Sequence, residues 1–233
     1  MPSVLLSCNS RETAEHASGA NEADVMGAIL TLLQDYLQVS GLSAARGPAN
    51  ARADLLLRLQ SYQKKDAQGV EICFHPGSEK SRRLARLLEA RLGGISPAQQ
   101  VRLVPAPEPR MAKRPAVQLR LGCRGNQDDA QWMLECTGVI AHAIAGAVTE
   151  WFGQPLKSPF AQLQASVNAP GGSLALRSRP GTEAALVRAL PNGTKLTLLH
   201  REGEWQYVEL DGACGYVMRK FLRLPVKKAQ EKS

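Results

Sequence analysis

The chain has 233 residues, of which 44% are hydrophobic, so it is long enough for one medium and one small domain, each with a buried core. Lysine and arginine total 29 against 21 acidic residues, and the resulting net charge of +8 favours anionic partners. The five cysteines are odd in number and include no CxxC pair, which argues against a disulfide framework and against a cysteine zinc knot.

Residues 1–153 carry alternating strand and helix patterns. Short apolar runs predict strands, and apolar residues that repeat every three or four positions predict helices. The predicted strands are 4–6, 55–59, 70–74 and 117–121, and the helices run between 25 and 37, from Ser78 to Leu92, and between 140 and 151. The segment 93–114 is rich in glycine, proline and basic residues and is predicted as a loop. Strands separated by helices predict an α/β domain with a mostly parallel, twisted sheet flanked by helices.

The character of the sequence changes after Phe152. Short strand patterns alternate with Pro-Gly, Asn-Gly, Glu-Gly and Asp-Gly turn signals, which predicts a small all-β unit. The predicted strands are 173–177, 185–189, 195–201, 205–209 and 214–218. The predicted domains are an α/β domain at 1–153, a linker at 154–168, a small barrel at 169–225 and a loose charged tail at 226–233.

Four segments of the second part resemble the bacterial SH3-like family. They are 174–180 (LALRSRP), 190–196 (LPNGTKL), 204–208 (EWQYV) and 215–222 (GYVMRKFL). The resemblance implies an SH3-like barrel that anchors a protein to peptidoglycan or its cross-bridges. Trp205, Tyr207 and Tyr216 are its candidate ligand-binding residues, and for Trp205 and Tyr207 burial on one face of the barrel is the alternative reading.

Residues 2–153 resemble zinc-dependent N-acetylmuramoyl-L-alanine amidases in the order of their segments. The matching segments are 53–61 (ADLLLRLQS), 69–71 (GVE), 81–85 (SRRLA), 115–122 (PAVQLRLG) and 140–152 (IAHAIAGAVTEWF). The resemblance implies an amidase-like α/β fold with a zinc site at the strand ends. Such a site needs two imidazoles and a carboxylate as ligands, and a second carboxylate as general base.

Most of the residues that this chemistry requires are absent at the matching positions. The first histidine falls near residues 7–10 (SCNS), the second falls on Gln60, and the general base falls on Arg120. Glutamine is a poor zinc ligand, and a guanidinium cannot accept a proton. Only Glu22 still resembles its counterpart, so the resemblance implies a degenerate site without a confident catalytic residue. Arg120 is expected to pair with Glu22 or to hold an anionic ligand.

Two histidines offer a different arrangement. A rearranged loop would have to bring His16 and His75 to Glu22 to form a new zinc site. His142 and His200 are predicted to be packing or surface residues, because a histidine without a ligand-spaced partner is usually structural. Zinc is therefore expected only if the site is active in this rearranged form.

Three functions are consistent with these residues. The first is a peptidoglycan-binding or regulatory protein, derived from an amidase and catalytically inactive; the second is an active zinc-dependent amidase with a rearranged site. The third is a structural interaction module of a spore, phage or envelope assembly, with a protein partner. Peptidoglycan or another anionic wall polymer is the expected ligand. Nucleic-acid binding ranks last, because aromatic residues are only 5% and no recognition motif is present.

The N-terminal residues bear on location. They lack the basic start and the long apolar run of a secretory signal, and no stretch of the sequence approaches membrane-spanning length. We expect a chain without a membrane span that is synthesised in the cytoplasm and acts at the cell wall or envelope if it is exported.

Overall fold

The computed structural model describes residues 1–8, 15–64, 66–97, 100–106, 114–160 and 163–224. The chain forms two compact units, Met1–Pro159 and Phe160–Ser233. The predicted tail at 226–233 lies outside the described residues. Each unit has its own sheet, so the two are described separately.

Within the described residues, the first unit contains six strands and four helices. The strands are β1 (Ser3–Cys8), β2 (Ser43–Arg46), β3 (Leu55–Tyr62), β4 (Val70–Phe74), β5 (Val101–Pro105) and β6 (Ala116–Cys123). The helices are α1 (Glu22–Val39), α2 (Glu79–Gly93), α3 (Gln127–Glu135) and α4 (Thr137–Trp151).

The sheet of the first unit has the order β2-β1-β3-β6-β4-β5. Neighbouring strands are parallel except for β4 and β6, which are antiparallel. The predicted mostly parallel sheet is therefore confirmed. Because β4 runs against β6, the amino end of β4 lies at the same edge of the sheet as the carboxyl ends of β1, β3 and β6.

The helices follow from capping and apolar spacing. The side chain of Asn21 accepts a hydrogen bond from the N–H of Ala23 at 2.8 Å and starts α1, and Ser78 caps α2 as predicted. α4 is apolar around most of its circumference and is buried in contact with both α1 and α2. The absence of a side chain on Gly146 lets Arg91 cross α4, and Arg91 Nη2 reaches Glu150 Oε2 at 2.8 Å.

Three elements of the first unit were not predicted. β5 lies inside the segment 93–114, which the sequence analysis assigned to a loop, and this assignment is wrong for Val101–Pro105. β2 and β5 are short strands at the two edges of the sheet, so neither carries the continuous apolar run that marks a central strand. α3 begins at the cap Asn126, a signal that the sequence did offer.

The second unit is an antiparallel sheet with the strand order β13-β7-β10-β11-β12-β8-β9. The strands are β7 (Gln164–Val167), β8 (Ser173–Arg177), β9 (Leu186–Pro191), β10 (Lys195–Glu202), β11 (Trp205–Leu210), β12 (Ala213–Met218) and β13 (Leu222–Arg223). Its apolar core includes Leu176, Leu190, Leu196, Val208 and Val217. The five predicted strands correspond to β8–β12.

β7 corrects the predicted linker at 154–168. It pairs with β10 and β13, and its residues Ala165 and Val167 belong to the core of the second unit. A four-residue strand offers too few alternations to be recognised in the sequence.

No single helix within the described ranges is long and apolar enough to span a membrane. α3 and α4, which meet at a bend of 79°, satisfy the length and composition criteria only when taken together.

A buried carboxylate joins three elements of the first unit. Asp129 in α3 is fully buried, and its Oδ2 accepts hydrogen bonds from the N–H of Gly69 at 2.8 Å and of Cys123 at 2.9 Å. Gly69 has a φ of 86°, and a Cβ there would lie 2.5 Å from the carbonyl oxygen of Gln100, so only glycine fits. Burial raises the pKa of Asp129, since desolvation disfavours the charged form.

We expect Asp129→Ala to lower the free energy of unfolding by about 2–4 kcal/mol, because it leaves two buried N–H groups without an acceptor. Asp129→Asn keeps one acceptor oxygen for both donors, but it places an amide NH₂ where Oδ1 has no hydrogen-bond partner among the described residues, so its loss should be smaller than that of Asp129→Ala without disappearing. Urea unfolding of the two variants measures the difference. Equal losses would show that these hydrogen bonds are not what Asp129 contributes.

His142 makes the stability of the first unit depend on pH. Its ring contacts that of Tyr36 edge to face with centroids 5.4 Å apart, and burial, assisted by Arg91, lowers its pKa to about 4 from an ordinary value of 6.5. A lowered pKa means that protonation favours the unfolded chain. The stabilisation is therefore complete above pH 6.5, the unfolded value, and is lost as the pH falls toward 4.

The expected contribution of His142 is up to about 3 kcal/mol between these two pH values. His142→Leu should flatten the decline of the unfolding free energy between pH 6.5 and 4, measured by denaturant titration at each pH. Some decline will persist, because burial also lowers the pKa of His16 and of His200. His75→Leu, a partly exposed histidine in the same unit, is the control, and an identical flattening in both variants would contradict the assignment.

Candidate functional site

A polar cleft of about 680 Å³ lies at the edge of the sheet of the first unit. The carboxyl ends of β3 and β6 and the amino end of β4 meet there, and the first residue of α1 joins them. The charged side chains that line the cleft are Glu22, Lys64, Glu71, Arg120 and Arg124. This edge is where the resemblance had implied a site.

Gln60 and Arg120 lie side by side in the cleft. They are register partners on the parallel strands β3 and β6, and both side chains line the cleft. In the resemblance to amidases Gln60 matches the position of a histidine and Arg120 that of a general base, and the structure brings these two positions together.

Glu71 is the carboxylate that Arg120 contacts. It is register partner of Arg120 across the antiparallel β4–β6 pair, and Arg120 Nη1 lies 3.0 Å from Glu71 Oε2. Arg102 Nη2 lies 3.0 Å from the other oxygen, Oε1, so one nearly buried carboxylate holds two guanidinium groups. From the sequence, Glu71 was recognised only as part of the segment GVE that resembles the amidase family. The signal for a further role of Glu71 was that it is the single acid within the apolar strand VEICF.

Tyr62 joins the same network. Its hydroxyl donates to the carbonyl of Gly69 at 3.0 Å and accepts a hydrogen bond from Arg102 Nη2 at 3.4 Å. Burial, with the nearby carboxylate of Glu71, raises the pKa of Tyr62 to about 12. The phenol therefore stays protonated and acts as a hydrogen-bond donor at neutral pH.

Glu22 has different partners. It is 2% exposed, and its Oε1 accepts hydrogen bonds from the N–H of Ser61 at 2.8 Å and from the hydroxyl of Ser61 at 2.6 Å. Its Oε2 lies 3.5 Å from Arg124 Nη1. The structure thus pairs Glu22 with Arg124, in place of the predicted pair with Arg120. Ser61 and Arg124 were not among the predicted site residues, because their contacts with Glu22 depend on how α1 meets the ends of β3 and β6.

His16 lies close to Glu22 but not among the residues that line the cleft. Its side chain is 4% exposed, and neither ring nitrogen has a hydrogen-bond partner within the described part of the chain. Burial lowers the pKa of His16, while the charge of Glu22 raises it and that of Arg124 lowers it again. The ring is therefore neutral at physiological pH.

His75 is at the other edge of the sheet. It follows Phe74, the last residue of β4, whose register partner is Val117, whereas Glu71 at the start of β4 faces Arg120 near the end of β6. The antiparallel course of β4 therefore carries His75 away from Glu22. The proposed zinc set of His16, Glu22 and His75 is not assembled in the structure, and the physical reason is strand direction.

The side chains at the cleft do not fit a zinc ion. Both oxygens of Glu22 and of Glu71 are engaged by donors or cations, and guanidinium groups stand beside them. Within the described ranges no three His, Cys, Asp or Glu side chains are grouped to hold a metal. Ser7 and Cys8 end β1 near the position of the missing first histidine, while Asn9 and Ser10 lie outside the described residues.

In the second unit, the three predicted ligand-binding aromatics differ in exposure. Tyr207 and Tyr216 are register partners on β11 and β12, are 2% and 0% exposed, and have ring centroids 5.0 Å apart. Tyr207 is therefore buried, which is one of the two possibilities left open for it. Tyr216 was predicted to bind a ligand, and its burial corrects that prediction. Trp205 is partly exposed, so its role in ligand binding stays a prediction. His200 packs near the ring of Phe160, with centroids 5.6 Å apart.

Comparison with known proteins gives a separate result for each unit. Residues 172–223 match the family model of the bacterial SH3 domain. No curated protein sequence gives a significant match. The first unit resembles several solved structures at low sequence identity.

Several of these structures are amidases. The CwlD amidase from Clostridioides difficile, in complex with the GerS lipoprotein, has a TM-score of 0.58 at 13% identity, and the match includes 66% of this chain and 99% of the CwlD chain. The amidase AmiC2 of Nostoc punctiforme has a TM-score of 0.57 at 14% identity, and the match includes 65% of this chain and 97% of the AmiC2 chain. The catalytic domain of CwlV from Paenibacillus polymyxa has a TM-score of 0.56 at 16% identity, and the match includes 66% of this chain and 100% of the CwlV chain.

At these identities the likeness concerns the fold. The expected amidase-like architecture and the expected SH3-like unit are both confirmed. The first unit has the fold of N-acetylmuramoyl-L-alanine amidases, and the second unit contains a bacterial SH3 domain.

Proposed function

We propose that the protein binds peptidoglycan without hydrolysing it, as an amidase-derived binding or regulatory protein. The observation that carries the proposal is the pairing of Gln60 with Arg120 at the strand ends, with Arg120 held by Glu71. Hydrolysis of an amide needs a base to activate water, and a guanidinium stays protonated at any physiological pH.

Electrostatics supports the same conclusion. Two unit charges 4 Å apart interact with about 4 kcal/mol at an effective dielectric constant of 20, and a divalent ion doubles this to about 8 kcal/mol. Structural zinc sites in small peptides gain about 10–16 kcal/mol at neutral pH with a full set of ligands. A cleft with arginines in place of ligands loses much of that gain.

Three features of the chain favour peptidoglycan as the ligand. Solved structures with the fold of the first unit include N-acetylmuramoyl-L-alanine amidases, and the second unit contains a bacterial SH3 domain. The net charge of +8 favours anionic polymers. Two weak sites on one chain raise the overall affinity through effective concentration. A protein partner is compatible with this role, since CwlD was solved with a lipoprotein.

A second candidate, an active zinc amidase with a rearranged site, is favoured by one observation. His16 is buried close to Glu22 and has two ring nitrogens without hydrogen-bond partners within the described residues. Movement of this imidazole toward Glu22 would supply one zinc ligand of the required type.

We expect the full chain to co-sediment with purified peptidoglycan sacculi, and Trp205→Ala to weaken this binding roughly tenfold, since a partly exposed aromatic anchor typically contributes a large share of binding energy. Leu186→Ala is the matched control, because Leu186 is a 60% exposed apolar residue of the same unit. Bound fractions over a range of sacculus concentrations measure the effect. Absence of wild-type binding would refute the proposal. Equal losses of affinity in both variants would show that Trp205 is not part of the binding surface.

We also expect the purified chain, incubated with zinc and dialysed, to retain much less than one zinc per chain and to release no wall peptides above background. Metal analysis and detection of new amino termini in digested sacculi provide the two measurements. The rearranged amidase predicts one zinc per chain and peptide release that Glu22→Gln abolishes. Glutamine at this position keeps an acceptor for Ser61 while removing the charge, so loss of activity would not reflect a collapsed site.

A further inference from the structure

We propose that the polar cleft of the first unit is a binding site for a carboxylate-bearing ligand, with Arg120, Arg124 and Lys64 as its cationic contacts. The inference rests on the proposed function in one respect, namely that the cleft binds and does not cleave. It adds the chemical class of the ligand and the residues that recognise it.

The charge balance of the cleft, taken over the described side chains that line it, is positive. Lys64, Arg120 and Arg124 line it together with the two carboxylates Glu22 and Glu71. Three cations therefore face two carboxylates among these residues, and an excess of positive charge in a concave site focuses the field on an incoming anion. Arg102 does not line the cleft, but it also holds Glu71, so Arg120 shares its carboxylate with a second cation.

The arginines are held in place before any ligand arrives. Arg120 is fixed by the nearly buried Glu71 at 3.0 Å. Arg124 donates from Nε to Gln63 Oε1 at 3.1 Å and approaches Glu22 at 3.5 Å. Their side chains are nevertheless 34% and 28% exposed, so a ligand in the cleft can reach them. Fixing long side chains in advance reduces the entropy that binding costs.

The hydrogen-bond donors of the cleft suit a carboxylate. Arg120 and Arg124 can each add a charge-assisted hydrogen bond to a carboxylate oxygen, and the amide of Gln60 adds a donor in the same cleft. The cleft volume of about 680 Å³ lies within the range of about 300–1,000 Å³ typical of ligand pockets, which suits a short peptide.

The test is calorimetric titration of the full chain at low ionic strength with three probes: N-acetyl-alanyl-glutamate, its diamide and inorganic phosphate. We expect the dicarboxylate to bind at least about tenfold more tightly than either of the others. Arg120→Gln and Arg124→Gln should each weaken its binding about tenfold, and Lys64→Gln about threefold. Arg82→Gln, which removes an arginine paired with Glu79 on α2 outside the cleft, should have no effect.

Equal affinity for the dicarboxylate and its diamide would overturn the proposal, as would an unchanged affinity in a folded Arg120→Gln variant. Phosphate binding as tight as that of the dicarboxylate would refute the choice of carboxylate. If the arginine variants fail to fold, the exposed Lys64 decides the question, since an unchanged affinity in Lys64→Gln overturns its role. Dicarboxylate binding without sacculus binding leaves this site standing and refutes only the proposed function.

Discussion

The antiparallel pairing of β4 with β6 is the constraint on which the cleft depends. It places Glu71, at the amino end of β4, opposite Arg120 near the carboxyl end of β6. In a fully parallel sheet the start of β4 would lie at the other edge, and Glu71 would not lie beside Arg120. The same strand direction removes His75 from Glu22. One reversal of direction thus decides which charges meet.

The sequence predicted the central elements of the fold well, and for a physical reason. β4 and the start of α2 are specified locally, by a buried apolar run and by the cap Ser78. β2, β5 and β7 were missed because short strands at or near a sheet edge carry little periodicity, and their stability comes from the neighbours with which they pair.

The candidate site was predicted in its members but not in its contacts. Glu22, Gln60 and Arg120 could be named from the resemblance, and they do line one cleft. The partners of Glu22 and Arg120 could not be predicted, because Ser61 is 39 residues from Glu22 in the sequence and Glu71 is 49 residues from Arg120. Such contacts follow from strand register, which a single sequence does not specify. The burial of Tyr216 was missed for a similar reason, since it depends on what covers that face of the strand.

Arg120 also constrains how the chain can change. Arg120→Glu alone would place a second carboxylate next to Glu71, so that two like charges compete for Arg102. Gln60→His alone would set an imidazole beside a guanidinium, which disfavours a bound cation. Neither change alone produces a metal-binding site, so the effects of the two positions are not independent. The ion pair between Arg120 and Glu71 therefore couples the residue at position 120 to its neighbours, and substitutions there are expected to act together rather than one at a time.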